Sequence, residues 1–412
     1  MIKKLSLHFF LFSFSKGSNF IAPIFAATIL NSTSYGIFEF SLSIAYLIYT
    51  FITMGGPSIL AYDLVKNKYQ LIDVVKKYSL TLIYSFAILS LLLILFSANK
   101  TLILISGLIS ILISGNTIGG YLKGTGKGAY ANIFESSVYI TSIILFIFLY
   151  LNEINTLKTL FVFPLSGIII GLFLNKIIYY DTIEINKNTF SMFIKRGSAI
   201  MISSFLSILF LNLPKIILSL NSFEAVSFFS IYFRWAALCL IFHQFIFVVF
   251  FKKIFSLNFY QFQKICILIL SLVWSFSLVL IFIMNYLYSS GFDIIKVPEP
   301  NLTFQIIMSL GISCWILSAL IEGLIYRQEK SIYHGYSNII GIISFFFFLF
   351  IMTSIYDDYV QIVVSSWCLG YITIIISQIT FLESKLKERL DFKLLKICIF
   401  ISLCTLIYFI NL

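Results

Sequence analysis

The chain has 412 residues, 60% hydrophobic and 18% aromatic, and its 28 Lys and Arg outnumber its 17 Asp and Glu to leave a net charge of +11. Charged residues make up 11% of the chain, against about 25% in soluble domains, and the mean hydropathy is +1.02. These values exclude a soluble globular or disordered chain, and because the basic residues are scattered between apolar runs rather than gathered on one face, they exclude nucleic acid as a partner.

The N-terminus, Met1-Ile-Lys-Lys followed by apolar residues, resembles the start of a signal peptide. No small-x-small cleavage site closes it and further apolar runs follow, so a retained first helix is expected. Runs of roughly the 20 residues needed to cross a bilayer lie near 8–30, 38–60, 78–97, 101–121, 129–150, 156–179, 198–219, 224–250, 264–288, 302–325, 333–355, 359–381 and 395–411. They must be helices, because each backbone group in lipid has to be satisfied within its own segment. The expected fold class is an all-α polytopic membrane protein of 12 transmembrane helices, with 395–411 as an optional thirteenth, in two pseudo-symmetric bundles. The segments are 1–180, an N-terminal six-helix bundle; 181–197, a cytoplasmic linker; 198–381, a C-terminal six-helix bundle; and 382–412, a basic segment with the optional helix.

The first two runs form a hairpin over Ser15 to Asp63, closed by a Gly-Gly-Pro break. Lys16 and Asn19 share one face of its first helix, with Pro23 a turn further on. In the second, Glu39, Ser43, Tyr46, Thr50, Thr53 and Pro57 fall within a stripe about 80° wide at the helical period. Polar groups in a span tend to face a bundle interior or a water-filled cavity, so this side is expected to line one. Further on, Lys123-Gly-Thr-Gly-Lys-Gly128 fails the phosphate-loop spacing and reads as a tight turn.

Half a chain later the hairpin pattern returns. Sliding back by 190 or 191 positions lays Pro214 on Pro23, Leu220-Asn221-Ser222 on Leu30-Asn31-Ser32, and Ser230, Arg234 and Gln244 on Glu39, Ser43 and Thr53. Two parallel halves related by an axis along the membrane normal would produce this pattern. With the N-terminus inside, 22 Lys and Arg fall in inside segments and 3 in outside segments, Lys100, Lys158 and Lys296. That asymmetry is the positive-inside signature and also supports the span count.

Lys16, Lys215 and Arg234 are the positive residues left within spans. Each costs about 2.5–3.5 kcal/mol at a span centre on insertion scales, which a hydrated cationic cavity between the halves would offset. Ser204 shares the face of Lys215, and Ser227 and Ser230 share that of Arg234. The candidate substrate cavity is therefore Lys16, Asn19, Glu39, Ser43, Tyr46, Thr50, Ser204, Asn212, Lys215, Ser230, Arg234 and Gln244. The alternative is structural: Lys16 snorkels to the interface and Arg234 pairs with Glu39 or another buried acid. His8, His243 and His334 lack ligand spacing and read as buried, hydrogen-bonded imidazoles rather than a proton relay. The six Cys lie in apolar runs without metal spacing and read as core. No catalytic residue, metal or cofactor is expected.

The hairpin Asn19–Asp63, with Ala-Thr-Ile-Leu, Tyr-Gly-Ile-Phe-Glu-Phe and Gly-Gly-Pro-Ser in order, resembles the opening of the Wzx-type O-antigen and polysaccharide flippases of the MOP exporter superfamily. Asn212-Leu-Pro-Lys-Ile-Ile-Leu followed by Ser222-Phe-Glu-Ala-Val-Ser-Phe-Phe-Ser looks like that family's second-half opening, with Val226 where a Gly is usual. The resemblance implies two bundles in a V around a central cavity. It also implies export of an undecaprenyl-diphosphate-linked oligosaccharide across a bacterial inner membrane by alternating access, with other polysaccharide assembly proteins as partners beside the lipid bilayer. A MATE-type multidrug exporter is the first rival, and such transporters usually place carboxylates in the membrane, where this chain places Lys. A polymerase or ligase of the same pathway would need a large outside loop for its chemistry, and the longest here is Ser289 to Asn301.

Overall fold

The computed structural model describes residues 2–66, 70–96, 99–152, 160–178, 187–241, 259–291, 296–327, 331–354 and 357–385. Every regular element among them is helical. In chain order they are α1 (Ile2–Ile29), α2 (Ser32–Ile52), α3 (Gly56–Val65), α4 (Ile72–Leu95), α5 (Lys100–Gly124), α6 (Gly128–Glu135), α7 (Ser137–Asn152), α8 (Val162–Ile177) and α9 (Lys187–Ser219). There follow α10 (Phe223–Ala236), a 3-10 turn (Ala237–Cys239), α11 (Phe259–Ser289), α12 (Leu302–Arg327), α13 (Ser331–Met352) and α14 (Tyr359–Lys385). Eight described helices are long and apolar enough to cross a membrane, or nine if the bent pair α6–α7 is one span. Helix α1 is not among the eight, because the Lys16-Gly-Ser-Asn19 turn dilutes its apolar run. The optional thirteenth helix at 395–411, Gln244 and His243 lie outside the described residues.

The chain forms two compact units, Met1–Ile208 and Leu209–Leu412, and the division falls inside α9. In unit 1, Asn31 caps α2 by accepting the Ser34 N–H at 2.8 Å, which starts that helix six residues before the apolar run expected at 38–60. The same run is cut at its other end. Met54 (φ 49°) and Gly55 (φ 67°) turn the backbone left-handed, and Pro57 in the first turn of α3 restarts it as a separate helix. The run expected at 129–150 is likewise two helices meeting at 49° around Ser136.

Helix α5 is the most buried span of unit 1, and its small residues explain why. A Cβ at Gly120 would lie 2.3 Å from the Pro57 carbonyl, and one at Gly115 would lie 2.2 Å from that of Phe134. Glycine at both positions lets α3 and α6 approach to backbone contact. The first part of α9 docks on this unit in the same way, with Gly197 against the Met54 carbonyl and Phe193 against Tyr78. Arg196 closes the contact by donating to both carboxylate oxygens of Asp63, at 2.6 and 3.1 Å. Asp63 is 1% exposed, so removing Arg196 would strand a buried charge at a cost of roughly 2–4 kcal/mol, below the fully buried range because the guanidinium is part-exposed.

Unit 2 is organised on α14, with an aromatic core of Trp367 and Tyr371 against Phe210 of α9 and Phe229 and Phe233 of α10. Segment 296–300 has no regular structure and is tied to α10: the Tyr232 hydroxyl donates to the Glu299 carbonyl, and the Trp235 indole donates to that of Lys296 at 3.2 Å.

Candidate functional site

The predicted site residues fall into two groups, one in each unit. In unit 1, Lys16 and Asn19 lie on α1, beside the α6–α7 bend. Ser15, next to Lys16, donates to the Asn132 carbonyl at 2.7 Å and shares a hydrogen bond with the Ser136 hydroxyl at 2.7 Å. This places the Lys16 ammonium in the field of Glu135, an attraction that the sequence reading did not single out, and of Lys123 from the Lys123–Gly128 turn, a repulsion. Lys123 and Glu135 pair at 2.5 Å. Gly119 makes room for that carboxylate, since a Cβ there would sit 2.6 Å from Glu135 Cγ. The cluster thus holds two cations and one anion. The Asn19 side-chain oxygen is buried without a partner among the described residues.

On α2 the polar stripe is present and packed. Glu39 is 0% exposed and accepts a hydrogen bond from the Tyr35 hydroxyl at 3.1 Å. Ser43 and Thr50 return their hydroxyls to the carbonyls of Glu39 and Tyr46, one turn back, at 2.9 and 2.8 Å. Such back-bonding satisfies a hydroxyl within its own helix. Tyr46 reaches across to the hydroxyl of Tyr139 on α7 at 3.5 Å. Leu42 and Leu47, on other faces, are buried as well, so in this conformation burial does not set the stripe apart from the rest of the helix. Ser204 lies in the part of α9 that belongs to unit 1 and is half-buried.

In unit 2, Asn212 and Lys215 lie on α9 beside Pro214, and Ser230 and Arg234 lie one turn apart on α10. Lys215 is 4% exposed and Arg234 8%. The Lys215 ammonium lies 5.4 Å from the centre of the Phe233 ring, and that ring also packs on Trp315 and Trp367. A cation–π contact is worth about 0.5–2 kcal/mol, less than the roughly 2.5–3.5 kcal/mol that a Lys costs within a span. Phe233 is therefore one of the groups that hold the cation, not the whole of what does. The Ser230 hydroxyl is fully buried and has no partner among the described residues.

No known family's sequence pattern and no curated protein matches the chain. Its fold matches solved membrane proteins over nearly its whole length. A structure of the lipid II flippase MurJ, in an inward closed conformation, aligns with a TM-score of 0.63 at 14% identity, covering 98% of this chain and 97% of that one. The MATE multidrug transporter DinF-BH aligns at 0.56 and 10% identity, covering 92% and 95%. A MATE in complex with MaD5 aligns at 0.54 and 14% identity, covering 90% and 91%. MurJ and the MATE transporters are MOP superfamily members, and theirs is the fold of this chain.

Proposed function

We propose that the chain is a flippase, one that carries an undecaprenyl-diphosphate-linked oligosaccharide, an O-antigen or capsule repeat unit, from the cytoplasmic to the periplasmic face of a bacterial inner membrane. The observation that carries the proposal is the burial of Lys215 and Arg234 in helices of a membrane transporter fold. A diphosphate cannot cross hydrocarbon with its charge dehydrated, and fixed cations in a wet path replace the lost water with charge-assisted hydrogen bonds. Lys16, in the field of Glu135 and Lys123, is the third basic residue of the proposed path. In this proposal twelve spans form two bundles of six, the candidate cavity residues are exposed alternately to each face, and other polysaccharide assembly proteins act on the delivered unit. Gene deletion tests it directly. The lipid-linked oligosaccharide should accumulate on the cytoplasmic face and be cleared by the native gene but not by Arg234→Ala; absence of accumulation would sink the reading. A MATE-like exporter of cationic compounds is the second reading, favoured by the fully buried Glu39 carboxylate, and active efflux of a cationic dye from cells carrying the gene would select it.

A further inference from the structure

Unit 2 holds a second polar cluster, apart from the cations above. His334 on α13 is 2% exposed, and each of its ring nitrogens meets a polar group from a neighbouring helix. Nε2 lies 3.2 Å from Glu322 Oε1 on α12, and Nδ1 lies 3.0 Å from Gln378 Nε2 on α14. Asn338, one turn along α13, places its amide nitrogen 3.1 Å from Nε2. Glu322 is the most open member, with 26% of its side chain exposed. Tyr371 of α14 lies within electrostatic reach of Glu322 and of Cys314 on α12.

The donor and acceptor inventory is informative. With Gln378 Nε2 donating, Nδ1 accepts and carries no proton, which leaves the imidazole neutral. In that arrangement the other end of the same amide, Gln378 Oε1, is buried without a partner. A buried, unpaired carbonyl costs about 1–3 kcal/mol, so the neutral state leaves one group in this knot unsatisfied. A half-turn of the Gln378 amide brings that oxygen to Nδ1, where it can accept only if Nδ1 bears a proton. The imidazolium then donates from Nδ1 to the Gln378 oxygen and from Nε2 to the Glu322 carboxylate, while the Gln378 amide nitrogen takes the place the oxygen left, so the state of the ring and the orientation of the amide are tied to each other.

We infer that His334, Glu322 and Gln378 form a proton-binding site joining α12, α13 and α14, which takes one proton at His334 Nδ1 as the Gln378 amide turns over. The proton comes from water, the Glu322 carboxylate holds the Nε2–H and steadies the imidazolium that results, and one positive charge is added to the unit per proton bound. Glu322 is five residues before Arg327, His334 three after Ser331 and Gln378 seven before Lys385. At 1.5 Å per residue the site lies within about 11 Å of helix ends that face the cytoplasm in the predicted topology. In a transporter, such a site makes the proton a coupling ion. That last step rests on the transport reading, whereas the site itself does not.

The test is a titration of His334 in the full chain. With His8→Gln and His243→Gln removing the other imidazoles, and the protein in lipid nanodiscs, the ring nitrogens of 15N-histidine report protonation state and tautomer between about pH 5 and 9, the range in which His titrates. The expected result is passage from a neutral ring with a bare Nδ1 to the doubly protonated ring. Glu322→Gln, which keeps the shape and removes the charge, should move the midpoint down by about one unit or more. A ring that stays neutral throughout, or a midpoint indifferent to Glu322→Gln, overturns the inference and leaves a structural knot. Should Glu322→Gln fail to fold, the carboxyl 13C signal of Glu322 in the otherwise native protein must move over the same pH interval as the imidazole; independent movement overturns the inference. A failure of the flippase reading would appear in the lipid-linked oligosaccharide and leave this titration untouched.

Discussion

The α1–α2 hairpin and the α9–α10 hairpin are built alike and hold their cations differently. Each begins with a helix containing an internal proline, Pro23 or Pro214, and eight residues later an Asn or Ser side chain caps the next helix, Asn31 onto Ser34 and Ser222 onto Ala225. Each second helix then breaks, α2 at a left-handed Met54-Gly55 turn and α10 in the 3-10 turn at Ala237–Cys239. The contrast lies in what faces the lysine. Lys16 stands among a carboxylate and a second ammonium, an arrangement sensitive to charge balance. Lys215 is 4% exposed and stands over the face of an aromatic ring. Two frames of like build thus set one lysine in the field of other charges and the other against an aromatic face.

The comparison assumes that both hairpins start on the same side, and topology tests this with an all-or-none outcome. An impermeant thiol reagent applied to intact cells should modify a Cys placed at Ser290 and spare one placed at Asn188; the reverse labelling would break the parallel. Next in size is export. Arg234→Ala and Lys215→Ala should each lower surface polysaccharide about tenfold or more, since a charged hydrogen bond is worth roughly 1.5–3 kcal/mol. Arg234→Lys should keep part of it, and all three proteins should reach the membrane in similar amounts. Normal export by Lys16→Ala, Lys215→Ala and Arg234→Ala alike would make the charges structural.

Accessibility sharpens the unit 1 side. If the stripe opens during transport, Cys at Glu39, Ser43 and Thr50 should react with a small thiol reagent in active cells, while Cys at Leu42 and Leu47 stays protected; uniform protection would mean a dry core. The smallest effect concerns the two cation settings themselves. Phe233→Leu should lower the stability of purified protein by about 0.5–2 kcal/mol in a manner indifferent to salt. Glu135→Gln should cost under about 1 kcal/mol, because Lys123 is half-exposed, and added salt should erase the difference. Equal salt dependence of the two would erase the distinction between them.

Much of the frame was legible in the sequence because it is written in local signals. The hairpin turn at Asn31, the Gly-Gly-Pro break, the buried cations and a hydrogen-bonded His334 all follow from spacing and residue type. The charge partners were hidden for a different reason. Glu135 acts on the charge of Lys16 from 119 positions away, Asp63 pairs with Arg196 across 133 positions, and Glu322 meets His334 from another helix. Such pairs are decided by which helices pack together, a choice that the glycines of α5 help to make for Glu135 in unit 1 and that no periodicity displays. The α6–α7 bend escaped notice because Ser136 carries none of the usual proline or glycine punctuation.

The division of the chain inside α9 bears on how the protein is made. Asp63 leaves the ribosome 133 residues before the arginine that pairs with it, and residue 180, where the sequence pattern ends the first bundle, arrives before Phe193, Arg196 or Gly197 exists to cover the Met54 turn and Asp63. A nascent chain halted at 180 therefore carries a buried-to-be carboxylate and a bare Met54 turn, and it should be held by membrane chaperones or degraded. One halted after Ile208 contains all of the first unit. The first half of this protein is complete only when the helix that opens the second has begun to emerge.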